Sequence, residues 1–217
     1  MSQKKNRIAM VDNQIRPADV TNYKLLRAFL EIPREIFFDI DQASLAYAEA
    51  ELVVGKNRKS MTPRSFARLA EVTNVKAGDE VLFIGAGSGY EVAVISKLCD
   101  SVIALESSAA IGKSAEQKFA EQSVDNAVLV NGKLEAGAEA TGPYDVVIFN
   151  GAIETVPSQI LDQVKDGGRV AYIQSVEGVN AAYVMIKNGD HWAKRFEFNA
   201  AAPMLPGFKE KDNFVFA

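Results

Sequence analysis

The segment Val81-Leu82-Phe83-Ile84-Gly85-Ala86-Gly87-Ser88-Gly89-Tyr90 constrains this chain more than any other. It reads as a buried apolar strand running into a glycine-rich turn and then a helix. Such a turn gathers bare backbone N–H groups at the positive end of a helix dipole, where a nucleoside-bearing ligand can approach. The glycines fall as G-x-G-x-G. A dinucleotide site wants G-x-G-x-x-G, and Tyr90 stands where the third glycine of that pattern would let the helix pack on the strand. A second strand, Ser101 to Leu105, ends in Glu106, about 20 residues beyond the loop, the place of the acid that grips a ribose. A carboxylate there accepts hydrogen bonds from two vicinal hydroxyls at once. Taken singly, the turn could serve backbone shape alone and the glutamate could be an ordinary strand end.

The rest of the chain alternates strand and helix in the manner of a doubly wound parallel sheet. Strands are expected at 80–84, 101–105, 127–130, 145–149 and 169–174. Helices are expected at 90–97, 108–122 and 157–163. Beyond the turn Lys165-Asp166-Gly167-Gly168, residues 181–187 and 192–199 alternate around Asn188-Gly189-Asp190 and predict an antiparallel hairpin. Phe214-Val215-Phe216 reads as a last edge strand or an unpaired tail. Upstream, helical spacing over 22–30 follows a possible cap at Thr21, and Thr62-Pro63 reads as a cap with proline at the first helical position. No repeat or linker stands out. The expectation is one α/β domain, residues 1–75 forming a helical extension with a loop and 76–217 the ligand-binding core.

Composition narrows the partners. With 217 residues the chain has length for a substantial core. A net charge of −4 argues against nucleic acid as main partner, since such binding leans on clustered Lys and Arg. Lys4-Lys5-Asn6-Arg7 reads as a solvated terminus. No apolar run approaches the ~20 residues of a membrane span, and the start lacks the apolar core of a secretory signal. One cysteine, Cys99, excludes an internal disulfide and suits a reducing cytoplasm, as a buried structural thiol. The single histidine, His191, has no His or Cys nearby in sequence, so neither a metal site nor a His-activated nucleophile is expected.

The short glycine spacing is the one seen in S-adenosylmethionine-dependent methyltransferases, and further blocks narrow the likeness. Met10-Val11 with Gln14 and Arg16, Leu25-Leu26-Arg27-Ala28, Ile32-Pro33-Arg34-Glu35-Ile36-Phe37, Ala46-Tyr47-Ala48-Glu49 and Leu52 to Gly55 come first. Gly85 to Tyr90, Pro143 to Ile148, Val156-Pro157 and Gly167-Gly168-Arg169 follow. In this order the chain resembles the protein-L-isoaspartate O-methyltransferase family over most of its length. The resemblance implies a Rossmann-like methyltransferase sheet with a C-terminal antiparallel hairpin. It also implies methyl transfer from S-adenosylmethionine to the free α-carboxyl of isoaspartyl residues in damaged proteins. The cofactor-binding residues it implies are Gly85, Ala86, Gly87, Ser88, Gly89, Tyr90, Glu106 and, after the third core strand, Asn131.

The departures fall at the site. The family's substrate loop reads G-x-G-Q-T-I-S-x-P, and alignment on Gly55 and Pro63 puts Met61 at the hydroxyl position. Met61 donates no hydrogen bond. Ser60 and Thr62 flank it and are the candidate catalytic hydroxyls. In an extended segment they would share a face away from Met61. Thr62 serves equally as the cap of the helix at Pro63. Arg58 and Lys59 offer charges that could attract a carboxylate. Phe83 stands where the family has an acid, and Asn131-Gly132-Lys133 where it has G-D-G.

Three readings follow. The chain is a divergent carboxyl methyltransferase acting on isoaspartyl proteins or another carboxylate, a noncatalytic relative kept as a binding or regulatory module, or a nicotinamide-dependent oxidoreductase. Intact Gly85, Gly87, Gly89 and Glu106 favour the first.

Overall fold

A computed structural model describes residues 2–209. In chain order its elements are α1 (Gln3–Met10), α2 (Tyr23–Glu31), β1 (Val53–Gly55), β2 (Arg58–Lys59), α3 (Pro63–Thr73), β3 (Glu80–Ile84), α4 (Tyr90–Ser96), β4 (Ser101–Glu106) and α5 (Ala109–Glu121). Then come β5 (Ala127–Asn131), β6 (Tyr144–Ile153), α6 (Ser158–Leu161), β7 (Val164–Val176), β8 (Val179–Asn188) and β9 (His191–Asn199).

Unbroken apolar runs such as Val81 to Ile84 and Val146 to Phe149 suit strands covered on both faces. They form the middle of a seven-stranded sheet of order β5-β4-β3-β6-β7-β8-β9. Strand β3 pairs parallel with β4 on one side and β6 on the other, so the chain switches direction across the sheet there. Strands β7, β8 and β9 pair antiparallel, giving the expected hairpin. Strand β6 runs four residues beyond the expected 149 because the chain after the hairpin returns to it. Ala152 donates to the Pro203 carbonyl at 2.8 Å, and Leu205 donates back to Ala152 at 2.8 Å.

Alternation along β3 divides two cores. Val81 and Phe83 join a cluster with Met10, Val11, Ile15, Leu25, Phe29, Phe66 and Tyr90. Leu82 and Ile84 join Leu105, Phe149, Leu205 and Phe208 on the other face. The N-terminal extension therefore closes one face of the sheet. Phe83 lies edge-on to Phe66 with ring centroids 6.4 Å apart, so an acid at this position would be buried among rings.

Local chemistry sets the helix starts. Thr62 accepts from the Ser65 amide at 3.3 Å and caps α3, with Pro63 at the first position. At α2 the cap is Asn22, which accepts from the amides of Lys24 and Leu25, rather than the expected Thr21. The Thr21 hydroxyl donates instead to Glu71 at 3.0 Å. Lys4 and Lys5 are exposed, as expected, but they lie on α1, a helix the sequence reading did not anticipate. The expected edge strand at 214–216 lies outside the described residues. Among the described residues no helix is long and apolar enough to cross a membrane.

Candidate active site

Ligands of open α/β sheets bind beyond the carboxyl ends of the strands, at the switch point. Here that place is ringed by the loop after β3, Glu106 at the end of β4, Asn131 at the end of β5 and Asn150 on β6. Glu106 and Asn131 sit opposite each other in register. Asn131 is exposed, and its Oδ1 would lie 2.8 Å from a Cβ added at Gly112, so it borders the first turn of α5.

The loop is built tightly. Gly85, Gly87 and Gly89 have φ of 85°, 58° and 89°, a region that L side chains rarely adopt. Most of its amides are already bonded rather than bare. Those of Gly85 and Ala86 donate to the Leu105 carbonyl, that of Gly89 to the Ala86 carbonyl, and that of Tyr90 to the Ser88 hydroxyl. Gly87 donates to Glu106 Oε2 at 3.0 Å. Glu106 Oε1 accepts from the amides of Ser107 and Ser108 and from the Ser107 hydroxyl. The acid is thus fixed to the loop by hydrogen bonds before any ribose arrives. The Tyr90 side chain belongs to a ring cluster with Phe29 and Phe37, and burial pushes its phenol well up.

Residues 53–60 form a small hairpin over this cradle. Gly55 and Arg58 pair across it, and a Cβ at Gly55 would meet Ile111 of α5 at 2.7 Å. Gln42 clasps its base through both the amide and the carbonyl of Val53. Side chains alternate in burial. Lys59 is exposed and pairs with Glu51, whereas Arg58 and Ser60 are buried. Arg58 Nη2 reaches over the loop to 3.7 Å from Glu106 Oε2. A Cβ at Gly85 would lie 2.6 Å from that nitrogen and 2.9 Å from Leu205 Cδ2, and the φ of 85° already disfavours a side chain there.

The two candidate hydroxyls are not brought together. Ser60 Oγ accepts from the Leu52 amide at 3.1 Å and from Arg34 Nη2 at 3.3 Å, while Thr62 caps α3. Met61, at the family's hydroxyl position, is fully buried in the first core. Arg34 and Glu91 are site residues that sequence reasoning missed. Arg34 is fully buried, donates to the carbonyls of Ala46 and Met61, and stacks against the rings of Phe38 and Tyr90. Burial pulls its pKa down, opposed chiefly by the charge of Glu91. Burial pushes the Glu91 carboxyl up, opposed by Arg34, its own amide, Asn150 and Arg58. The lone thiol, Cys99, lies elsewhere, on the β4 side of α4, and burial pushes it up to about 12. Among the described residues no group of His, Cys, Asp and Glu could hold a metal ion.

Several buried polar atoms here lack hydrogen-bond partners: both Arg58 Nη atoms, Glu91 Oε2 and Asn150 Oδ1. Asn150 spends its Nδ2 on the Gly85 carbonyl at 3.0 Å, which leaves Oδ1 beside the loop. Buried polar groups are seldom left unpaired, so such a set marks a place where a polar ligand completes the structure. The set suits S-adenosylmethionine: Glu106 for ribose hydroxyls, Asn131 beside it, glycine Cα surfaces for close approach, and Asn150 Oδ1 and Glu91 for an ammonium group.

The comparisons with known proteins agree. The family model for protein-L-isoaspartate(D-aspartate) O-methyltransferase matches residues 4–196. The protein-L-isoaspartate O-methyltransferase of Syntrophus aciditrophicus is 30% identical over 166 residues, covering 76% of each chain. That of Photobacterium profundum is 28% identical over 189 residues, covering 87% of this chain and 90% of the relative. A solved protein-L-isoaspartate O-methyltransferase superposes with a TM-score of 0.80 at 24% identity, over 95% of this chain and 66% of that one. A Plasmodium falciparum protein, solved in complex with S-adenosyl-L-homocysteine and described as a putative member, gives 0.78 at 16% identity, covering 91% and 96%. Neither the nicotinamide reading nor the noncatalytic module is favoured by this pattern. The chain belongs to the protein-L-isoaspartate O-methyltransferase family of S-adenosyl-L-methionine-dependent methyltransferases.

Proposed function

We propose that the protein methylates the free α-carboxyl of isoaspartyl residues in damaged proteins and peptides. The observation that carries this reading is the buried Gly85–Glu106 cradle, roofed by a hairpin that turns Arg58 and Ser60 inward. A carboxylate with an ordinary pKa near 4 is ionised at neutral pH and needs no general base. When bound, S-adenosylmethionine would supply an electrophilic sulfonium methyl for the acceptor carboxylate. The chain's work is then to orient and to exclude water. Gly85, Gly87, Glu106 and Asn131 hold the cofactor side.

Ser60 takes the hydroxyl role. Its oxygen accepts two hydrogen bonds and its own hydrogen stays available to a carboxylate. Thr62, the other candidate, fixes the helix beneath. A methionine at the family's hydroxyl position, with Arg58 turned inward on the same loop, leaves room for other carboxylates as acceptors. In this reading residues 1–75 and 76–217 act as one domain, because the extension shares its core with β3. The setting is the cytoplasm, where a lone thiol stays reduced, and the partners are protein carboxylates rather than nucleic acid.

The test uses two peptides of one sequence, one with isoaspartate and one with aspartate, incubated with methyl-labelled S-adenosylmethionine. A base-labile methyl ester on the isoaspartyl peptide alone is expected. Equal labelling of both, or none of the isoaspartyl peptide under saturating cofactor, counts against the reading.

A further inference from the structure

We propose that Arg58 is the acceptor-binding residue, and that it exchanges Glu106 for the acceptor's carboxylate when the cofactor's ribose claims Glu106. This rests on the methyl-transfer reading above and deepens it.

Four observations carry it. First, the Arg58 side chain is only 5% exposed, yet neither Nη atom has a hydrogen-bond partner. At 3.7 Å its approach to Glu106 is an attraction without a hydrogen bond. Second, Glu106 is already served by Gly87, Ser107 and Ser108, so its affinity for Arg58 is not what fixes the acid in place. A buried guanidinium with idle donors is a costly resting state, and a planar two-toothed anion relieves it best. Burial accordingly draws Arg58 down in pKa, against the charges of Glu106 and Glu91. Third, Arg58 Nη2 rests against Gly85, and the loop from Gly85 to Tyr90 is buried beneath it. A ligand reaching the loop must move this side chain. Fourth, the neighbouring cation cannot substitute, since Lys59 is exposed and paired with Glu51.

The hairpin is built to permit the exchange. Its base is held by Gln42, by Leu52 with Ser60, and by Arg34 on Ser60 and Met61. Its strands are only three and two residues long, with Lys56 and Asn57 exposed at the tip. Few tertiary bonds hold the tip, which is where local opening is cheapest. A guanidinium displaced from Glu106 by the ribose is left without an anion, and an acceptor carboxylate supplies one whether the bound sulfur is a sulfonium or a thioether. Cofactor and acceptor should therefore bind with positive coupling, each tightening the other by the same factor.

The experiment compares wild type, R58Q and R58K by calorimetric titration with S-adenosylhomocysteine, with and without saturating isoaspartyl peptide, and by steady-state methylation. In R58Q, S-adenosylhomocysteine alone is expected to bind several-fold tighter, because nothing competes for Glu106. The KM for peptide should rise about tenfold or more, and the peptide's tightening of S-adenosylhomocysteine should vanish. R58K, which keeps the charge but not the fork, should fall between. Thermal midpoints close to wild type in R58K guard against a folding defect. Unchanged peptide KM and unchanged coupling in R58Q overturn the proposal, as does weaker S-adenosylhomocysteine binding in a folded R58Q. If isoaspartyl peptides are never methylated but R58Q still binds S-adenosylhomocysteine tighter, the isoaspartyl assignment falls and the exchange at Glu106 stands.

Discussion

Glu106→Ala is expected to weaken S-adenosylhomocysteine binding about tenfold to a hundredfold, the scale of losing hydrogen bonds to a charged group. It is also expected to destabilise the fold by about 3 kcal/mol. The first effect follows from the acid's place at the end of β4, where a ribose would meet it. The second follows from what the carboxylate already does. The amides of Gly87, Ser107 and Ser108 all donate to it, and that of Gly87 would be left buried without an acceptor. Arg58 would lose the nearest anion as well. Removing one member of a buried pair costs about 3–5 kcal/mol in general, and the ability of the hairpin tip to carry Arg58 outward should hold the loss to the lower end. Glu106→Gln should lose less stability than alanine, since its one carbonyl oxygen can still serve Ser107 and Ser108 while its NH2 group cannot accept from Gly87. Urea denaturation and calorimetry on the same preparations check both. An alanine variant with wild-type stability and affinity would remove Glu106 from the site.

The second large effect is expected at Arg34. Arg34→Met should cost about 3–5 kcal/mol and loosen the chain from Ala46 to Met61. Two carbonyls, of Ala46 and Met61, lose the arginine's hydrogen bonds, and Ser60 Oγ loses one of its two donors. Glu91, only 1% exposed, loses the main charge that offsets its burial. Arg34→Lys should rescue little, because one ammonium cannot span those acceptors while lying flat between Phe38 and Tyr90. The pH dependence adds a signature. The folded-state pKa of Glu91 lies above the ordinary 4.5, so its burial costs nothing at a pH below both values and grows as pH rises toward the folded pKa. Without Arg34 that folded pKa climbs further. The stability gap between wild type and Arg34→Met should therefore be widest at neutral pH and narrow toward pH 4.5. Stability curves across that range check it; a gap independent of pH would show that Arg34 does not offset Glu91.

The core strands were legible because each is an apolar run closed by a glycine turn or a charged end. Strand β3 begins and ends where the sequence puts it, at Glu80 and Ile84. Helix α1 was hidden because it buries only Met10 and so carries no apolar stripe. The cap at Asn22 was misread because Thr21 has the same chemistry one residue earlier, and only the tertiary partner Glu71 decides between them. At the site, the glycine loop and Glu106 were plain. Arg34 was not, because an isolated arginine is most often a surface residue. Arg58 stood out only as a loop charge beside Lys59, though a signal for its burial existed. The alternation that pairs Ser60 with Thr62 also pairs Ser60 with Arg58, and the short strand β2 extends the chain on that side of Ser60. Thr62 leaves the pattern because helix α3 begins one residue later.

The most direct measurement is calorimetric titration of the purified wild-type protein with S-adenosylmethionine and S-adenosylhomocysteine. Saturable one-to-one binding of both in the micromolar range is expected from the cradle of Gly85, Gly87, Glu106 and Asn150. No heat of binding at millimolar ligand, from a protein that remains folded, would contradict it and leave Arg58 as the permanent occupant of that cradle.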